Sequence, residues 1–460
     1  MTADSLHIDE RAAGIENEQY PNYEKNNSPW RNSNATVSVN GSTEVGDESV
    51  KSLPDVDDLP DGGYGWFVVL GAFMVLVTTF GVSISWGVMQ DYYQQNLFYD
   101  DPNAALNLSF VGTIILVFFN LMSPVGQILA SIFDSRIVML LGTFCITLSL
   151  EMAGFSSQVW HLYLSQGVLF GFGASMLYVT IMGIAPQWFN RRRGLALGII
   201  VSGSGVGGLI MPFIMQPINA KLGAPWTYRV IGFVCLLCDV VACILVKDKY
   251  PRIKGRKRLQ DIIQLKVLKN VDFIIWVISA DLCVLGYYVP YFFLPSYATH
   301  IGLSDSQGSS LVAISSACNF LGRVFAGYLA DRIGKLNTHT IFTFIGGLSS
   351  LLIWTFAYSY GTLVAFSVIL GFFAGTYFSL LSPVTLSILG MEMFPSGLSL
   401  LLVFNVASVF GPSIASAIEG AVDSEPFLSY KLFTGISFIL GGVVLIILKL
   451  RLNKNIFAKI

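Results

Sequence analysis

The most informative shortage in this 460-residue sequence is charge. Only 12% of the residues are Asp, Glu, Lys or Arg, whereas soluble domains average about 25%. Hydrophobic residues make up 53% of the chain, and a soluble protein of this length could not bury so much apolar surface. The net charge is only −2, and most of the acidic excess lies in the first 60 residues. The charge balance therefore gives no indication of nucleic-acid binding.

Cysteine and histidine are also scarce, with six and four residues. All six cysteines fall in apolar segments, which favours packing over disulfides or metal binding, and the histidines lack ligand spacing. Gly203, Gly205 and Gly208 spell G-x-G-x-x-G, but they lie in an apolar run without the strand that a dinucleotide site requires. We expect close helix packing there. We expect no cofactor, no metal site and no enzymatic activity, since no nucleophile–base pair stands out.

Long apolar runs, in contrast, are abundant after residue 60. The stretch from Trp66 to Met89 has no charged residue and exceeds the ~20 residues that cross ~30 Å of hydrocarbon. The runs do not alternate as barrel strands would. The sequence therefore predicts an all-α polytopic membrane protein with twelve transmembrane helices in two six-helix bundles, at residues 66–90, 108–133, 136–154, 159–183, 194–218, 226–246, 270–296, 306–330, 339–357, 362–388, 398–419 and 431–450.

Composition divides the chain into five regions. Residues 1–60 are rich in Asn, Ser, Glu and Asp, which predicts a disordered tail. A strongly basic loop at 247–269 separates an N-terminal six-helix bundle (61–246) from a C-terminal one (270–451). A short tail follows at 452–460.

The two halves resemble each other. "GFGASMLYVT" at 171–180 is similar to "GFFAGTYFSL" at 371–380, and each lies in the fourth helix of its half. Internal duplication of this kind is typical of secondary transporters that rock around a site near the bilayer midplane.

Lys and Arg predict the orientation. The basic loop and the cluster Arg191, Arg192 and Arg193 lie on the same side as both termini, while the opposite loops carry mainly acids. Because positive charge is retained inside, both termini and the basic loop are predicted to be cytoplasmic. We expect the plasma membrane rather than a vacuolar or other internal membrane.

The segment "GYLADRIGK", Gly327 to Lys335, closes the eighth predicted helix. It resembles the major facilitator signature G-x-L-A-D-R-x-G-R/K, which implies the major facilitator fold. Glycines such as Gly327 permit a tight turn, and Asp331 and Arg332 could pair across neighbouring helices. An ordinary charged turn is the alternative.

The segment "PDGGYGW" precedes the first apolar run. It resembles a motif of the monocarboxylate transporter-like family, (D/E)-G-(G/S)-(W/F/Y)-(G/A)-W. Within that family the chain is similar to fungal members. Asp61 would lie among the headgroups, Gly62 and Gly63 would allow a bend, and Tyr64 and Trp66 suit the membrane interface.

A second motif of that family is similar to "QWFNRRRGLALGIIVSGSGVGG" at 187–208, where Arg193 matches the family's basic cluster. "LGYYVPYFFLPSYA" at 285–298 also resembles the family and supplies Tyr287 and Tyr291 as candidate substrate contacts. The resemblance implies a carrier of small organic solutes.

Arg323 is the clearest charged residue within the membrane. It lies eight residues before Asp331, so ~12 Å from the helix end at ~1.5 Å per residue. An arginine can hold a carboxylate through two parallel hydrogen bonds, and the resemblance implies anion binding at this position. The alternative is a structural pair with an acid. Asp281, deep in the seventh helix, could face Arg323 as a counter-ion or carry a proton.

Two departures from the family matter. Its proton-coupled lactate carriers have an aspartate where this chain has Asn319, and a helix-one lysine at the place of Ile84. We therefore expect transport that does not follow the proton–lactate pattern. The predicted function is secondary active or facilitative transport of a small organic anion or amphipathic solute, such as a monocarboxylate, aromatic amino acid or vitamin.

The expected partners are that small-molecule substrate and membrane lipid, with protons as candidate coupling ions; no oligomeric state is indicated. The alternative function is a nutrient sensor that binds a ligand on a transporter fold and signals through its tail.

Overall fold

The computed structural model describes residues 62–100, 104–249, 264–422, 425–455 and 458–459. The predicted tail 1–60, Asp61 and most of the basic loop lie outside the described residues, as do residues 456, 457 and 460 of the predicted C-terminal tail.

The described residues form twelve membrane-length helical spans and contain no strand. In the N-terminal half the spans are α1 (Gly65–Asn96), α2 (Asn107–Leu121 and Ser123–Ile132, bent by 43°), α3 (Ser135–Ala153), α4 (Val159–Gln187), α5 (193–222) and α6 (224–245). In the C-terminal half they are α7 (Val271–His300), α8 (Asp305–Ile333), α9 (Lys335–Trp354), α10 (360–389), α11 (391–421) and α12 (Leu428–Leu452). The all-α prediction is confirmed.

Two glycines separate spans that follow each other without a loop. Gly223 lies between α5 and α6 at φ 78° and Gly390 between α10 and α11 at φ 71°, a left-handed backbone that glycine adopts readily. The uninterrupted segment Arg193–Leu245 would otherwise be 53 residues long, or ~80 Å at ~1.5 Å per residue, far more than one bilayer. The segment after Gly390 begins α11 at residue 391, whereas we predicted 398, because Glu392 and Pro395 interrupt the apolar pattern there.

The glycines of α5 confirm the expected close packing. A Cβ on Gly203 would lie 2.5 Å from the Phe73 carbonyl oxygen of α1, and one on Gly207 would lie 2.3 Å from that of Val77. The G-x-G-x-x-G pattern therefore belongs to a membrane-helix contact, where small residues let backbones approach.

The two family motifs meet at one end of the spans. Trp66 packs edge-on against Phe189 at 5.1 Å between ring centroids, and Tyr64 lies 5.6 Å from Trp188. The Tyr64 hydroxyl donates to the Leu245 carbonyl at the end of α6. We call this end, where α1 begins and α12 ends, the terminus side. The segment before α1 is thus tied to α4 and α6, and the aromatic residues do more than anchor an interface.

Candidate functional site

A small cavity lies between the two halves. It is lined by α1, α2 and α4 from one half and by α7, α10 and α11 from the other. Its volume of about 30 Å³ has room for water but not for an organic solute. The wall is largely apolar, and nearly half of its residues are aromatic: Phe80, Phe119, Tyr178, Tyr288, Tyr377 and Phe378. Asn120 and Asn405 supply neutral polar groups.

Arg323 lies beside this cavity and is only 6% exposed. Its Nη1 donates to the Val201 carbonyl at 3.0 Å and to the Ser204 hydroxyl, both on α5. Its Nη2 is 3.4 Å from the Tyr287 hydroxyl, and the guanidinium lies 4.9 Å from the Phe378 ring centroid. Nε is buried and has no hydrogen-bond partner among the described residues. The Phe378 ring also lines the cavity, so it contacts both the guanidinium and the cavity.

The candidate pairing of Arg323 with Asp281 is not formed in this structure. Asp281 accepts a hydrogen bond from the Ser408 hydroxyl of α11 at 3.0 Å, and within the described part of the chain no carboxylate lies at ion-pair distance from Arg323. The reason is the rotational phase of α7. At 100° per residue, Asp281 shares a helix face with Tyr288, whereas Tyr287 lies about 240° further round.

The predicted residues Tyr291 and Asn319 lie at helix contacts. The Tyr291 hydroxyl accepts from Ser315 of α8 at 3.3 Å, and the Asn319 amide donates to the Gly371 carbonyl of α10 at 3.1 Å. Tyr287 likewise faces α8. The sequence analysis missed Tyr288, which faces the cavity.

The other missed cavity residues had a signal in the sequence. Tyr178 lies in the first of the two similar segments, 171–180, and Tyr377 and Phe378 lie in the second. The internal similarity therefore pointed to the cavity wall, although we used it only to infer duplication.

Ile84 is not a cavity position. Its side chain is 57% exposed and lines neither this cavity nor the one beside it. Thr79, Phe80 and Ser83 line a second, smaller cavity adjoining the first, since they share the inner face of α1. The cavity face of α1 therefore carries hydroxyl and aromatic groups at this depth. Ser83, one residue before Ile84, lies on this face, so no lysine takes the family's position there either.

The α8 signature joins the halves on the terminus side. The Asp331 carboxylate accepts hydrogen bonds from the backbone N–H groups of Gly194 and Leu195, both at 2.8 Å, at the beginning of α5. A Cβ on Gly327 would lie 2.3 Å from the Gly194 carbonyl oxygen, so the two backbones touch. Arg332 instead lies over the Tyr328 ring at 4.6 Å. The acid thus binds across helices to a helix N-terminus rather than to a cation.

Arg193 contributes to the same region from α5. Its Nε donates to the Phe189 carbonyl at 3.0 Å and its Nη2 to the Pro186 carbonyl at 3.4 Å. These bonds hold the end of α4 against the beginning of α5. Gly62 and Gly63 both have positive φ, 151° and 62°, so the expected bend before α1 is present.

Comparisons with known proteins agree with this architecture. The sequence model of the Major Facilitator Superfamily matches residues 67–412 and 277–455. The MFS transporter asaE of Aspergillus flavus is 30% identical over 395 residues, covering 85% of this chain and 88% of that protein. The probable transporter MCH2 of Saccharomyces cerevisiae is 26% identical, covering 88% and 85%. The agnestins efflux protein AgnL12 of Paecilomyces divaricatus is 27% identical, covering 85% and 89%.

Solved structures show the same fold at low sequence identity. The crystal structure of the transporter FucP in the outward conformation gives a TM-score of 0.65 at 15% identity, covering 83% of this chain and 98% of that one. The human organic anion transporter MFSD10 (TETRAN) gives 0.64 at 15% identity, covering 85% and 100%. With twelve spans, a cavity between two halves and a family match over most of its length, the chain belongs to the major facilitator superfamily of multi-pass membrane transporters.

Proposed function

We propose that this protein carries amphipathic organic acids with a planar apolar body across a membrane by alternating access, and that Arg323 binds the carboxylate. The observation that carries the proposal is the position of a buried guanidinium directly behind an aromatic cavity between the halves.

The composition of the cavity wall supports the proposal that the substrate has a planar apolar body. Its rings surround a space that neither Lys nor Asp nor Glu lines, and aromatic side chains favour offset or edge contacts with other planar groups. The amides of Asn120 and Asn405 could orient a hydroxyl or amino group. An aromatic acid fits this wall better than a small, fully hydrated anion such as lactate, because its ring gains contacts that lactate lacks.

The hydrogen-bond pattern of Arg323 supports the proposal that the substrate has a carboxylate. Nη1 donates to α5, but among the residues that the structure describes Nε has no hydrogen-bond partner and Nη2 has a single long contact of 3.4 Å with the Tyr287 hydroxyl. Nε–H and one N–H of Nη2 point along the same edge of the guanidinium, which matches a carboxylate through two parallel bonds. A substrate would reach this edge after the Phe378 ring moves aside.

The resemblance to the monocarboxylate transporter-like family supports the same substrate class. AgnL12 is named as an efflux protein, so export of such acids is one direction to test. We propose uniport or coupling through another acid, with Asp281 first, since Asn319 and the inner face of α1 lack the groups of the lactate carriers. The terminus side would face the cytoplasm, as the basic residues indicate. Nothing in the described residues favours the sensor alternative.

Uptake into proteoliposomes tests the proposal. Phenylacetate, indole-3-acetate and aromatic amino acids should enter faster than lactate. Arg323→Lys keeps the charge but loses the fork, and losing one charge-assisted bond of ~1.5–3 kcal/mol should reduce uptake at least about tenfold. Arg229→Lys is the matched control and should retain uptake, because the Arg229 guanidinium lies over the Trp226 ring at the beginning of α6, outside the cavity. Normal uptake by Arg323→Ala at equal reconstitution, or rapid lactate uptake driven by a proton gradient, would contradict the proposal.

A further inference from the structure

Arg323 connects the two halves of the transporter in this closed structure. It belongs to α8 of the C-terminal half, and its Nη1 donates to Val201 and Ser204 on α5 of the N-terminal half. Val201 and Ser204 are 4% and 3% exposed, so water does not replace these acceptors. The Nη1 group of the arginine is therefore held by the other half of the molecule.

The close approach of α5 and α8 makes this contact possible. A Cβ on Gly198 would lie 2.7 Å from the Arg323 carbonyl oxygen, so no side chain separates the two backbones at this level. One turn of α5 closer to the terminus side, the backbone amides of Gly194 and Leu195 donate hydrogen bonds to the Asp331 carboxylate. Separation of α5 from α8 must break both sets of bonds.

We propose that the two hydrogen bonds from Arg323 to Val201 and Ser204 form an arginine lock that keeps the empty carrier closed on the terminus side, and that a substrate carboxylate releases it. The second part rests on the proposed function. Without a ligand, separation from α5 leaves a buried cation with only Tyr287 and the Phe378 ring, and a buried charge without partners is strongly unfavourable.

A carboxylate removes that penalty. It binds the open Nε–Nη2 edge and neutralises the guanidinium while Nη1 is still bonded to α5. Loss of the Nη1 bonds then no longer leaves an unpaired charge, so α5 and α8 can separate. Ser204 is in this view a positioning residue that acts through Arg323, and it couples opening of the terminus side to occupancy of the site.

The amides of Gly194 and Leu195 report this separation directly. They belong to the first turn of α5 and have no acceptor within their own helix, so their protection comes from Asp331. Hydrogen exchange of a peptide containing both amides, measured on the full-length protein in nanodiscs, therefore follows opening of the α5–α8 contact. Ser204→Ala removes one bond of the lock. Ser202→Ala is the matched control, because Ser202 is equally buried on α5 and bonds only to the Ile199 carbonyl of its own helix.

Without ligand, Ser204→Ala should exchange at least about tenfold faster than the wild type, the size expected for one lost hydrogen bond to a charged group, and Ser202→Ala should match the wild type. Equal exchange of both variants would refute the lock. If Ser204→Ala did not fold, Arg323→Lys should give the same acceleration, and unchanged exchange there would refute the lock.

In the wild type, phenylacetate should accelerate exchange of these amides and its neutral analogue phenylacetamide should not. In Ser204→Ala the response to phenylacetate should be smaller. If phenylacetate is transported but leaves wild-type exchange unchanged, release by the carboxylate is wrong. If phenylacetate is neither bound nor transported, the proposed substrate class is wrong, and the ligand-free comparison still decides the lock.

Discussion

Two interfaces join the halves on the terminus side, and they are built differently. Each pairs the second helix of one half with the fifth helix of the other. At the α5–α8 interface, Asp331 and Arg323 bond across the halves and Gly327 allows the backbones to touch. At the α2–α11 interface, the hydrogen bonds seen between described residues join neutral groups. The Ser123 hydroxyl donates to the Ser399 carbonyl at 2.8 Å, and the Ser399 hydroxyl donates to the Gln127 side chain at 2.5 Å.

The difference indicates where the resistance to opening lies. Hydrogen bonds to charged groups contribute ~1.5–3 kcal/mol and neutral ones ~0.5–1.5 kcal/mol. An added Cβ on Gly126 of α2 or on Gly397 of α11 would meet residues of the same half, so these glycines do not bring the two helices together. We expect the α5–α8 interface to control the closed state, and the α2–α11 interface to adjust more freely during rocking.

Gly327→Ala should have the largest effect on this comparison. Its Cβ would meet the Gly194 carbonyl oxygen at 2.3 Å, and overpacking of this kind costs ~1–3 kcal/mol. We expect the closed state to lose stability by that amount, with transport reduced at least about fivefold and faster exchange of the Gly194 and Leu195 amides. Gly183→Ala on α4 is the control, because no atom lies within 4 Å of its added Cβ. Wild-type uptake by Gly327→Ala would show that the backbone contact is not required.

Asp331→Asn should have the next largest effect. The amide side chain has one acceptor oxygen instead of two, so one of the bonds to Gly194 and Leu195 is lost, and the interaction of the carboxylate with the N-terminus of α5 disappears. We expect a loss of ~1–2 kcal/mol in the closed state, visible as faster exchange of those amides. Asp134→Asn is the matched control, since Asp134 lies in the corresponding turn after α2 but caps α3 of its own half through Arg136. Equal effects of the two changes would mean that the α8 turn has no special role.

Much of the fold could be predicted from the sequence because hydrocarbon thickness imposes long uncharged runs. Twelve runs gave twelve spans, and their bounds differ by a few residues at most sites. The predicted beginning of α11 is seven residues too late, because Glu392 and Pro395 interrupt the apolar pattern although the helix includes them. The orientation and the boundaries 61–246 and 270–451 stay predictions.

The candidate site was predicted less completely. The depth of Arg323 follows from counting along one helix, so it could be found. Its partners depend on how α5, α7 and α8 are rotated about their axes, and one residue corresponds to 100°. Because of this rotation, Tyr288 and not Tyr287 faces the cavity, and Asp281 bonds with Ser408. No sequence pattern indicated that Ser204, on a helix far from α8 in the sequence, would bind the arginine.

Ser399→Ala should have the smallest effect and tests the α2–α11 interface directly. The change removes a neutral hydroxyl whose bond to Gln127 crosses the halves, while the Ser123 hydroxyl still reaches the backbone carbonyl at position 399. We expect a loss of ~0.5–1 kcal/mol and a change in uptake of no more than about fivefold, with exchange of the Gly194 and Leu195 amides unaltered. Ser387→Ala on α10 is the control, because its hydroxyl bonds only to Val384 within its own helix and its side chain is exposed. An effect of Ser399→Ala as large as that of Asp331→Asn would mean that both interfaces hold the closed state equally, and the asymmetry between a charged and a neutral interface would then have no functional weight.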